Sequence, residues 1–207
     1  SFSHQGQSKS RLALFGCVGL EEYEQRLVLP HEFTQAPAVQ DRISLIESCG
    51  ANFSPIMALH RDSSGSLKPL LAEVMAGQPV FHVTDVWDQQ STLWRINQLV
   101  HQDAISRLFN DEPIFLADGH HRYEAALQVR RKQMQDRDPA GGDDATDFVM
   151  MALIEFDDPG LIVLPYHRVV GGLLPAKLTK LMQRLDELFE SQPLESGPDV
   201  NHEHLLE

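Results

Sequence analysis

The stretch IFLADGHHRYEAALQVRRKQ, residues 114–133, decides how the chain is read. Ile114, Phe115, Leu116 and Ala117 form an apolar run of strand length. Beyond it Tyr123, Ala126, Leu127 and Met134 recur on one face at helical spacing, which predicts a helix over residues 121–136. Between the two stand Asp118, Gly119, His120, His121 and Arg122. A strand that turns into a helix there gathers unpaired backbone N–H groups and the positive helix end at one point, which is an anion site in principle. Gly119 lets the chain turn sharply and lets a ligand come close. Arg122, one turn in, carries a planar fork that matches a phosphate. Asp118 can cap the helix, hold Arg122 or His121, or bind a phosphate-associated cation such as magnesium. His120 and His121 can donate to phosphate or shuttle a proton. The bland alternative is a capped turn with solvent-facing histidines. Five polar residues directly after a core strand favour a working site.

Outward from this block, residues 11–20 (RLALFGCVGL) read as a buried strand, and a second short strand stops at Pro30. Residues 37–49 read as a helix opened by Pro37 and closed by Gly50, with Val39, Ile43 and Ile46 on one face. PIMALH (residues 55–60) is a strand ended by a turn, and Ser66 can cap a helix reaching Met75. VFHVTDVW and TLWRI suit a hairpin, residues 102–109 a short helix, and residues 174–189 a last amphipathic helix. FVMMALIEF and LIVLP are apolar enough for central strands. The order predicts an α/β (α+β) fold, a mixed β-sheet with packed helices, over residues 10–170, with a C-terminal helix and tail over 171–207.

Composition narrows the partners. With 17 Lys and Arg against 30 Asp and Glu the net charge is -13, which disfavours DNA but leaves a small phosphorylated ligand or metabolite open. Two cysteines, Cys17 and Cys49, are too few for a disulfide framework and are expected in the core of a cytoplasmic protein. No apolar run approaches the roughly 20 residues of a membrane span. The polar opening at Ser1 reads as the start of an internal fragment.

FLADGHHRYEAAL, VLPHEFT, DRISLIESCGANFSPIMAL and DPGLIVLPYHRVV together resemble the bacterial and archaeal domain-of-unknown-function family number one thousand and fifteen, over residues 11–170. The loop is also similar to the phosphate loop of the wider ParB/sulfiredoxin-like superfamily, whose free-serine kinases hold nucleotide phosphates on Asp-Gly-His-X-Arg. Asp118, Gly119, His120 and Arg122 match that pattern. Sulfiredoxin carries a cysteine where this chain has His120, so sulfinic-acid repair is not implied. The family's lysine shortly after VLPHEFT is missing here, where the chain reads Ala36-Pro37-Ala38-Val39.

His31 and Glu32 follow a strand and Pro30, a place suited to a general base or a metal ligand. Glu32 is the expected base, with His31 and His121 beside it. His167 and Arg168, after LIVLP, offer a second anion contact. The sequence therefore points to a nucleoside di- or triphosphate with Mg2+ at residues 118–122 and phosphoryl transfer to a small metabolite. The rivals are a non-catalytic nucleotide-binding regulator, and a metal-dependent hydrolase using His31, Glu32, His120 and His121.

Overall fold

The computed structural model describes residues 1–110, 112–135, 144–164 and 171–190. The chain divides into two units, Ser1–Leu161 and Ile162–Glu207. The first is built on a five-stranded mixed sheet in the order β3-β9-β5-β8-β4. These strands are β3 (Leu14–Gly19), β4 (Val28–Leu29), β5 (Ile56–His60), β8 (Ile114–Asp118) and β9 (Phe148–Glu155). β9 runs antiparallel to β3 and parallel to β5, β5 runs antiparallel to β8, and β8 runs parallel to β4. Side chains alternate across a pleated strand, so Ile56 and Ala58, Ile114 and Leu116, and Val149, Met151 and Leu153 fall on one buried face. α4 (His120–Met134) lays Tyr123, Ala126 and Leu127 on that face. Each large aliphatic side chain on that face contributes about 1.5–3 kcal/mol by leaving water, and each alanine methyl about 0.8 kcal/mol.

The topology brings distant segments to one end of the sheet. β4 leads through a short loop into α1 (Ala36–Cys49), and β8 leads directly into α4. Because β4 and β8 are parallel, the starts of both helices lie beyond the same ends of adjacent strands. α1 and α4 pack side by side. β5 runs the opposite way, so the residues preceding it arrive at that end too. α1 carries Pro37 in its first turn and closes at Gly50, whose left-handed conformation (φ 59) lets its N–H reach Ile46 O at 2.8 Å.

Elsewhere α2 (Leu67–Met75) starts after Ser66, but the cap is Asp62 rather than the Ser66 side chain. The Asp62 carboxylate accepts from Leu67 N at 2.9 Å and from Ser66 N at 3.2 Å. β6 (Phe81–Thr84) and β7 (Gln90–Leu93) form the expected hairpin, and α3 (Leu99–Phe109) begins three residues earlier than expected. An unexpected hairpin, β1 (Phe2–His4) with β2 (Gln7–Lys9), turns on Gln5 and Gly6, both at positive φ. In the second unit α5 (Pro175–Leu188) matches the expected last helix.

Four expectations are corrected. Cys17 and Cys49 are exposed, one on the edge strand β3 and one in the last turn of α1. Met134 is exposed because the last turn of α4 is exposed throughout. β3 begins only at Leu14, and Phe15, Gly16 and Cys17 within it are exposed. LIVLP forms no strand among its described residues, 161–164. Both sides of β9 are already paired, and Asp158 pins the chain before that segment by accepting from Leu12 N at 3.0 Å and Gly160 N at 2.8 Å.

Candidate functional site

Gly119 is the N-cap of α4 at φ 102 and ψ 24, in the left-handed region that L side chains rarely adopt. Its carbonyl starts the helix by accepting from Tyr123 N at 3.0 Å. A methyl group added at Gly119 would sit 2.9–3.0 Å from the Arg122 guanidinium, so the glycine is required twice, for the turn and for the arginine beneath it. That guanidinium is engaged on several sides. Nη1 donates to Ser54 O at 3.1 Å, Ser54 Oγ at 2.8 Å and Pro55 O at 2.6 Å, and Nη2 donates to Asp118 Oδ2 at 2.6 Å. Of the roles open to Asp118, the one taken is holding Arg122; it does not cap the helix. Arg122 thereby ties the start of β5 to the start of α4.

His31 and Glu32 come to the same place. The His31 backbone N–H donates to His120 Nε2 at 3.3 Å, and its ring Nδ1 donates to Leu116 O at 2.7 Å. The two rings meet edge to face at 4.4 Å. Glu32 Oε1 lies 3.3 Å from His120 Nδ1. Two residues of α4 hold this loop, because Gln35 N–H also donates to His121 Nε2 at 3.1 Å. His120 is 1% exposed. Burial, followed by the neighbouring His31, pulls its pKa below the ordinary imidazole value, against the opposing pull of Glu32 and Asp118. Since Nε2 accepts a hydrogen bond, the proton of the neutral ring resides on Nδ1, on the Glu32 side.

The structure thus gathers His31, Glu32, Asp118, Gly119, His120, His121 and Arg122 around the start of α4. His167 and Arg168 lie outside the described residues. Glu32, with its side chain 55% exposed, presents a carboxylate to solvent, while His120 and His121 spend Nε2 on backbone N–H groups. The first-turn N–H groups of α4 have no intrahelical acceptor and suit an anion. Among the described residues no group of three or more His, Cys, Asp or Glu could hold a metal ion. A hydrolase metal on His31, Glu32, His120 and His121 does not fit, because two of the three imidazole rings already have Nε2 occupied.

Sequence reasoning missed the acceptors that hold the site. The carbonyls of Ser54, Pro55 and Leu116 are backbone groups and leave no residue signature. Helical spacing marks Tyr123 as a core residue and gives no sign of a polar role. Its hydroxyl also accepts from Glu21 N at 3.0 Å and donates to Glu21 O at 2.8 Å, and burial pushes its pKa up to about 12.

The family described as "Protein of unknown function (DUF1015)" matches residues 1–206, a longer span than the quoted motifs cover. No curated protein and no solved structure matches the chain.

Proposed function

The chain belongs to the DUF1015 family of proteins of unknown function, and we propose that it binds a nucleotide at residues 118–122 and transfers a phosphoryl group to a small metabolite. The observation that carries this is the meeting of an exposed carboxylate, Glu32, with His120 at the start of α4. Phosphoryl transfer asks little covalent chemistry of a protein beyond positioning and charge stabilisation. Backbone N–H groups at the start of α4 supply the second, and Glu32 is placed to take the proton of an acceptor hydroxyl. The likeness of Asp118, Gly119, His120 and Arg122 to the phosphate loop of free-serine kinases supports the same reading. Magnesium, which keeps most of its ligands from phosphate and water, would come with the nucleotide; Asp118 is the carboxylate of the loop that could join it on leaving Arg122.

A second reading, a nucleotide-binding regulator without catalysis, is favoured by one observation. Arg122, the fork expected on the phosphate, is bound to Ser54, Pro55 and Asp118 instead. Thermal shift with ATP, ADP and CTP, with and without magnesium, tests binding. A ligand at 100 times its dissociation constant adds about 2.7 kcal/mol. No shift with any of them at millimolar concentration removes both readings. Glu32→Gln then separates them: in a kinase it keeps binding and loses turnover by roughly 10²–10⁴-fold. Binding without any phosphoryl transfer by the parent protein leaves the regulator.

A further inference from the structure

We infer that His120 is the positioning residue of this site and not a ligand of phosphate: its imidazole links the backbone of the His31 loop to the Glu32 carboxylate and sets where that carboxylate stands. The inference rests on Glu32 acting as the base. Three observations carry it. His120 is almost fully buried, so it offers no face to an incoming anion. Its Nε2 is occupied by the His31 N–H at 3.3 Å, which leaves no proton there to donate to a phosphate oxygen. The same bond puts the ring proton on Nδ1, which lies 3.3 Å from Glu32 Oε1. His31 is itself anchored through Nδ1 to Leu116 O at 2.7 Å, so the donor that orients His120 is fixed to the strand preceding the loop. The chain of contacts runs from β8 through His31 and His120 to Glu32, and it returns the carboxylate to the end of the strand from which α4 departs.

Two substitutions divide the two ends of the ring. His120→Gln places an amide near Nε2, where its oxygen can still accept from His31 N–H, and it deletes the donor beside Glu32. His120→Asn places an amide N–H near Nδ1, facing Glu32, and deletes the acceptor. In phosphoryl transfer from ATP, His120→Gln should lower kcat on the order of a hundredfold, the scale of a small misplacement of a reacting group, with KM for ATP unchanged. His120→Asn should recover most of that loss. Equal kcat for parent and His120→Gln, or equal losses in both variants, would overturn the inference. A second measurement does not need turnover. Imidazole 15N spectra should show His120 as the neutral Nδ1–H tautomer, and Glu32→Gln should move its Nδ1–H resonance. An Nε2–H or charged ring, or a resonance indifferent to Glu32→Gln, overturns the inference even if the protein proves to be no kinase. Absent transfer by the parent protein, with the expected spectra, sinks the kinase reading and leaves the His120–Glu32 link standing.

Discussion

Gly119→Ala should be among the most damaging small substitutions in the molecule, and its cost can be apportioned. The first part is conformational: φ is 102 at Gly119, and an L residue in the left-handed region costs roughly 1–2 kcal/mol. The second part is steric. The added methyl would lie 2.9–3.0 Å from the Arg122 guanidinium. A free arginine would swing aside, but this one is anchored by Ser54, Pro55 and Asp118. Displacing it surrenders charge-assisted hydrogen bonds whose net value, discounted because the side chain is 25% exposed and Asp118 74% exposed, is about 1–2 kcal/mol. The total is about 2–4 kcal/mol, or roughly 5–15 °C in Tm for a chain of this size. Urea unfolding followed by circular dichroism measures it, and a double-mutant cycle isolates the steric part. With Arg122→Ala as background, Gly119→Ala should cost only the conformational part, giving a coupling of about 1–2 kcal/mol. Additive effects within about 0.5 kcal/mol would mean that Arg122 is not held beneath the glycine, and a cost below about 0.5 kcal/mol for Gly119→Ala alone would refute the left-handed turn.

Tyr123→Phe should destabilise by about 1–3 kcal/mol in the same unfolding assay, because it strips both partners from the Glu21 backbone at a buried position. His60 and His120 are held below their ordinary value of 6.5, in both cases first by burial, so the unfolded chain binds protons more readily. Their contribution is complete above that value and is lost as pH falls through the folded values; urea midpoints should therefore drop between about pH 7.5 and about pH 5.5. A midpoint that rises on acidification contradicts both directions. Arg122→Ala should weaken a nucleotide roughly tenfold to a hundredfold, by loosening the loop that presents the first-turn N–H groups, whereas Lys132→Ala, which loses an exposed pair with Glu47, should change it by about twofold or less. Isothermal titration of the two variants decides, with equal affinities making the Asp-Gly-His-His-Arg block structural.

What could be read before folding, and what could not, follows from the kind of interaction involved. Local signals survived: Pro37 and Gly50 bracket α1, and the change from apolar run to helical period places the β8–α4 junction within a residue. Burial was read less well. Cys17 and Met134 sit in patterns that look internal, yet one lies on a sheet edge and the other in a helix turn left exposed, and neither edge nor overhang is written in a periodicity. LIVLP has strand composition, yet its described residues, 161–164, form no strand, and β9, the strand just before them in sequence, is already flanked by β3 and β5. The site shows the same division. Its residue types were legible as an acid, a glycine, two histidines and an arginine, with His31 and Glu32 as a second cluster. Their assignments were not, because parallel pairing of β4 with β8 sets the His31 loop against α4, and only then do the lone pairs find partners. Two histidines that read as ligands have their Nε2 atoms committed to backbone N–H groups, and the arginine that reads as a phosphate fork holds β5. Two carboxylates keep exposed side chains beside the helix start, Asp118 held by Arg122 and Glu32 beside His120, and of these it is Glu32 on which the proposed chemistry depends.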